Sequence, residues 1–225
     1  MKRELKYVAC AVAISALFTA CAPKEEMTQA EKQVVCPAGW SEESDRARVD
    51  ELGQKLNDAQ KINGDDKEIR IAEVADGLKE VIACRKKNDA DNIKTIPNGY
   101  LAYYLLGKIQ SWKAETRDEG IKNLSKSLGF AAADSDETND YEVDLALGNA
   151  YLWKALDIAA TESIQAKKML KKARKYFLAV EVYETSLPDN RRDQDRLGRA
   201  KSGIEKADDK FAELEKPAAA PAETK

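Results

Sequence analysis

The stretch LGRAKSGIEKADDKFAEL, residues 197–214, sets Leu197, Ala200, Ile204, Ala207, Phe211 and Leu214 at alternating steps of three and four. That spacing returns an apolar side chain to one side of an α-helix at every turn, whereas a strand would need alternation at every residue. The same pattern runs upstream. Leu170, Ala173, Phe177 and Val180 form a stripe that restarts after Thr161 and stops at Pro188, and Val143, Leu147, Tyr151, Lys154 and Ile158 form another from Asn139 or Asp140. Before them, Leu101, Tyr104, Leu105, Ile109 and Trp112 mark a helix starting near Pro97-Asn98. Thr116-Arg117-Asp118-Glu119 then fits a capping box, with Ile121, Leu124 and Leu128 beyond it and Gly129 as the stop. At the other end Ser41 caps a helix carrying Val49, Leu52, Leu56 and Ala59, which Asn63-Gly64 ends. Asp65 or Asp66 opens the next, with Ile71, Ala75, Leu78 and Ile82. Breaks this short between long amphipathic helices give antiparallel hairpins. The expected fold is all-α over residues 41–215.

Composition points the same way. Of 225 residues 34% are charged, and only 11 are Gly and 6 Pro. A charged share above the usual quarter suits a thin, well-solvated architecture, and so few chain breakers argue against a many-turned β fold. Histidine is absent, which removes His-dependent triads and histidine-ligated metals. A net charge of −3 offers no global excess of positive charge for nucleic acid, so none is expected as a partner.

The N-terminus carries an address. Lys2, Arg3 and Lys6 precede an apolar run from Val8 to Phe18, too short for a bilayer span, and Thr19-Ala20 supplies small residues before Cys21. Phe18-Thr19-Ala20-Cys21 resembles a bacterial lipobox, with Phe18 where Leu is usual. The resemblance implies that residues 1–20 are a signal peptide and that Cys21 is diacylated. An ordinary secretory signal is the plainer reading. Ala22 rather than Asp after the cysteine implies, by similarity to enterobacterial sorting, the outer membrane facing the periplasm. Residues 21–40 then read as a lipid-anchored tether, and residues 216–225, rich in Ala and Pro, as a disordered tail.

Cys36 and Cys84 remain once Cys10 and Cys21 are assigned to the signal and the lipid. An even pair in an exported protein favours a disulfide, worth about 4 kcal/mol for a loop of roughly 50 residues. Two buried free thiols are the alternative, and a redox site has no histidine to activate it.

Leu-Gly dipeptides recur at Leu52-Gly53, Leu106-Gly107, Leu147-Gly148 and Leu197-Gly198. Glycine inside a helix costs about 1 kcal/mol relative to Ala, so its return suggests close helix crossings. With Tyr151, Ala173-x3-Phe177 and Pro188 following Leu147-Gly148, residues 100–214 resemble tetratricopeptide repeats at divergent spacing. The resemblance implies a short solenoid of hairpins whose first helices line a concave, protein-binding surface. Tyr103 and Trp153 lie off the main stripes and are the expected exposed aromatics there. An irregular bundle with coincidental Leu-Gly pairs is the competing reading.

Other constellations are weaker. Asp134 to Asp140 looks like a calcium loop but lacks Gly at its sixth position and Glu at its end, so a polar inter-helix loop is the simpler reading. Neither a Ser-x-x-Lys motif nor a phosphate-binding Gly-rich loop is present. Lys168, Lys171, Lys172 and Lys175, with Lys167 and Arg174, form one strong basic run, and Arg191, Arg192, Arg196, Arg199 and Lys201 could extend it. It reads either as a solvated face or as a docking surface for an acidic protein or anionic lipid. The expected function is that of a non-enzymatic envelope lipoprotein, a scaffold or assembly factor for unidentified envelope proteins, without cofactor or metal. A ligand-binding accessory of a solute transporter is the alternative.

Overall fold

The computed structural model describes residues 36, 40–88, 99–131 and 137–216. Among them are seven α-helices and no strand: α1 (Glu42–Gln60), α2 (Asp65–Lys87), α3 (Tyr100–Ser111), α4 (Arg117–Ala131), α5 (Glu137–Ile158), α6 (Ser163–Ser186) and α7 (Gln194–Glu215). The all-α expectation holds. The signal peptide, Cys21, most of the tether, residues 134–136 of the acidic loop and residues 217–225 of the tail lie outside the described residues.

Local chemistry sets the helix ends. Ser41 caps α1 as expected, its hydroxyl accepting from the Ser44 N–H at 3.1 Å while the Ser44 hydroxyl accepts from the Ser41 N–H at 2.9 Å. The turn into α2 runs through Gly64 at φ 84°, ψ −164°, a conformation open to glycine and strained for other residues. The capping box foreseen at Thr116 is not used. A 3-10 turn, Ala114–Thr116, leads into α4, the Thr116 hydroxyl donates to the Gln110 carbonyl at 2.7 Å, and Glu119 accepts from the Gln110 amide at 3.2 Å. Gly129 does not end α4, which runs on to Ala131.

Each helix packs on the next, and the odd-numbered helices also touch one another: α1 with α3, α3 with α5, α5 with α7. Three apolar clusters fill the interior in sequence. The first joins Leu52 and Leu56 of α1, Leu78 and Val81 of α2, and Tyr103 and Leu106 of α3. A second joins Tyr100 of α3, Leu124 of α4 and Leu147 of α5. The third joins Leu152 of α5, Leu170 and Phe177 of α6, and Ala200 and Ala207 of α7.

The α6 stripe is buried as read, with Leu170, Ala173, Phe177 and Val180 all at most 1% exposed. The α3 stripe is not. Tyr100, Ala102, Tyr103, Leu106 and Ile109 are buried, while Leu101, Tyr104, Leu105 and Trp112 are only partly so. α3 has neighbours on several sides and belongs to two clusters, so a single stripe could not describe it.

The glycines mark where helices meet, though not always at the expected dipeptide. A Cβ on Gly107 would stand 2.8–2.9 Å from Leu124 and the Gly120 carbonyl, and one on Gly120 would be 2.6 Å from the Ser111 amide, so α3 and α4 touch backbone to backbone. The Phe177 ring sits between Gly148 of α5 and Gly203 of α7, either of whose added Cβ atoms would meet it at 2.5–2.9 Å. Gly53 and Gly198 make no such crossing: Gly53 has ordinary contact with Leu105, and Gly198 faces open space.

Candidate functional site

Two odd-numbered helices, α5 and α7, leave an open groove between them. Its floor comes from α5, where Asn149, Leu152, Trp153 and Leu156 recur at three- and four-residue steps, and its wall from α7, from Gln194 to Glu213. The volume is about 1020 Å³. Leu156 stands 47% exposed here, unusual for a leucine on a packed helix, and Trp153 is half-buried beside it. Opposite them Gly198 contributes no side chain, and since nothing lies near its Cβ position the groove stays wide.

The polar wall carries both signs of charge. Arg199 is held by Asp195 at 2.9 Å and Glu142 at 3.3 Å, and Lys210 by Glu213 at 2.9 Å. Lys206 and Asp209 line the groove with them. At its inner end, Trp153, Asn149 and Arg199 also border a recess of about 70 Å³ that reaches Tyr104 and Lys108 of α3 and Trp112 just after it. Burial pushes the Tyr104 phenol up to about 12, with the Glu142 carboxylate adding to the effect and Arg199 opposing it. Burial likewise lowers the Lys108 ammonium, with Glu142 working against that shift. The surface offers an apolar strip between fixed charges.

Trp153, expected as an exposed aromatic, is half-buried on the groove floor. Tyr103, expected likewise, is 2% exposed, its ring 5.7 Å from that of Phe130 and its hydroxyl 2.9 Å from the Lys126 ammonium. α4 covers it, so it cannot serve as an exposed aromatic.

Cys36 and Cys84 are joined by a disulfide, with Cα atoms 5.5 Å apart, fixing residue 36 to the last turns of α2. Beside it Arg85 and Asp45, each 1% exposed at the side chain, form an ion pair at 2.5–3.1 Å, and a further Arg85 N–H donates to the Gly99 carbonyl at 2.7 Å. The sequence reading missed this pair, as nothing in a charged helix distinguishes its inward arginine.

Lys168, Lys171, Lys172 and Lys175 are exposed on α6. Lys171 stands over the Phe211 ring at 5.4 Å and Lys172 over the Tyr151 ring at 5.1 Å. Three of the arginines after Pro188 do not extend the run. Arg192 pairs with Asp189, Arg196 with Glu184 and Asp193, and Arg199 with Glu142 and Asp195, so these charges are spent within the fold.

No group of three or more acidic or cysteine side chains able to hold a metal occurs among the described residues, and no helix among them is long and apolar enough to cross a membrane. No family model, curated protein or solved structure matches the chain. What the groove can do follows from its own geometry.

Proposed function

We propose that the protein is a non-enzymatic scaffold of the bacterial envelope, tethered through a lipid on Cys21, facing the periplasm from the outer membrane, and holding a segment of an envelope protein in the groove between α5 and α7. The observation that carries this reading is the groove's openness, with Trp153 and the half-exposed Leu156 along its floor. An apolar strip flanked by charges suits an amphipathic segment that lays its apolar side inward. Contact between alternate helices supports a short repeat-like array, whose odd-numbered helices would form the binding side. The ligand-binding alternative calls for an enclosed pocket of roughly 300 Å³ or more. The recess behind Trp153 has about 70 Å³ and is well below that.

A photo-reactive side chain placed at Leu156 should crosslink one dominant envelope protein in cells, and Trp153→Ala should reduce its yield several-fold. Crosslinking no stronger than from Ile69, an exposed apolar residue on α2 away from the groove, would overturn the scaffold reading. Fractionation addresses the anchor: Cys21→Ser should move the protein out of the membrane fraction or stall its maturation. Unchanged membrane retention, with no acyl mass on the wild-type N-terminus, would remove the lipoprotein reading.

A further inference from the structure

α6 carries two stripes. Leu170, Ala173, Phe177 and Val180 make the buried one. On the opposite side Ile164, Lys168, Lys171, Lys175, Leu178 and Val182 also recur at three- and four-residue steps, and all but the half-buried Leu178 are exposed. Ile164 is 72% exposed and Val182 65%, two of the most exposed large hydrophobics among the described residues. At 1.5 Å per residue they stand about 27 Å apart along the helix, with the lysines between them.

Charge on this side is of one sign. From Ser163 to Val180 the helix has six cationic residues and no acidic one, and Glu162 and Glu181 bound the run. Arg174 is neutralised by Asp208 of α7 at 2.9 Å. The rest are lysines, in a chain whose net charge is −3. Lysine is a compact, strongly hydrated point charge on a flexible stem, depleted at protein–protein interfaces where arginine is preferred. A basic middle with aliphatic ends fits a helix lying on a lipid surface, its lysine stems stretched toward headgroups and its apolar residues dipping between them.

We propose that the outer face of α6 is a docking surface for an anionic lipid bilayer, contacting headgroups through Lys168, Lys171 and Lys175 and the acyl boundary through Ile164 and Val182. The face works independently of the groove, which α5 and α7 line without any residue of α6. It gains from the lipid tether of the proposed function, which would keep the bilayer near, but its chemistry does not depend on the anchor. Each lysine close to an anionic surface adds to the attraction, so three together would hold the body against a membrane that the proposed tether keeps near.

The test uses the full chain with phosphatidylcholine vesicles, with and without phosphatidylglycerol. Acylation of Lys168 and Lys175 by an amine reagent, measured by mass spectrometry, should fall several-fold only on the phosphatidylglycerol vesicles and recover at high salt, while exposed Lys55 and Lys79 react equally throughout. The K168E/K171E/K175E variant should lose the phosphatidylglycerol-dependent part of vesicle flotation with unchanged helicity. I164S/V182S should weaken that part while keeping its salt dependence. Equal labelling on both vesicle types, or no association with either, overturns the proposal. So does protection by polyglutamate but not by phosphatidylglycerol, which would assign the face to an acidic protein. Binding to phosphatidylcholine alone reports the acyl anchor, so failure of the lipoprotein reading is seen separately.

Discussion

The two ends of the helical array are closed in different ways. At the N-terminal joint, α1, α2 and the start of α3 meet through a disulfide, a buried Asp45–Arg85 pair and large aliphatic side chains. At the C-terminal joint, α5, α6 and α7 meet around one aromatic ring seated between two glycines, with Leu152, Leu170, Val180 and several alanines packed about it. Polar links there centre on Glu184, itself 1% exposed, which accepts from the Asp193 N–H at 2.8 Å, and on Arg196, which bridges Glu184 and Glu142. The first joint is pinned by a covalent bond and a buried ion pair. The second rests on the fit of ring to glycines and on the Glu184–Arg196 links, and an open groove lies between its α5 and α7.

Removing the buried arginine should have the largest effect. Arg85→Ala leaves the Asp45 carboxylate dry and unpaired and should lower stability by about 3–5 kcal/mol in urea unfolding. Arg85→Lys should recover only part of it, because one ammonium cannot reach both Asp45 and the Gly99 carbonyl. A loss below about 1 kcal/mol would mean the joint is held by its apolar cluster instead.

Cys36→Ser and Cys84→Ser should each cost about 4 kcal/mol in non-reducing conditions, and the double variant little more, since both remove one bond. Additive losses would break the assignment.

The C-terminal joint is tested by a pair of glycines five residues apart. Gly203→Ala pushes a methyl into the Phe177 ring and should destabilise by about 1–3 kcal/mol. Gly198→Ala meets nothing and should stabilise by up to about 1 kcal/mol through helix propensity. Opposite signs in thermal melts would establish the ring socket, and equal signs would dissolve it.

The smallest effect concerns the start of α7. Asp193 accepts from the Arg196 N–H at 2.9 Å, and that bond, with the Arg196 side chain beside it, holds its carboxyl below the usual 3.8. A pKa depressed by folding gives stability that is present above the unfolded value and lost as pH falls through the folded one. Asp193→Ala should therefore cost about 1 kcal/mol at neutral pH, with the gap to wild type closing below pH 3.8.

Legibility followed partnership. The α6 and α7 stripes could be read because each helix buries essentially one side, and Leu170, Ala173 and Phe177 stand where period alone puts them. α3 defeated the same rule, since neighbours on several sides bury Tyr100 and Tyr103 alike. Leu-Gly dipeptides signalled close packing, yet Gly77, Gly120 and Gly203 do as much without a preceding pattern: Leu52 meets the Cβ position of Gly77 at 2.8 Å. The groove was half visible in Trp153. Leu156 was missed, although α5 carries more apolar residues than one neighbouring helix could cover.

The Cys36–Cys84 bond also decides where mechanical load travels. Any pull on the chain ahead of residue 36 passes through the sulfurs to Cys84 in the last turns of α2, and onward from there. Everything between the two cysteines, all of α1 and most of α2, sits in a covalent loop that bears no tension. Drag on a captured partner would be felt from Cys84 toward the C-terminus, and the Asp45–Arg85 pair beside the load point would hold α1 in place as a passenger on α2.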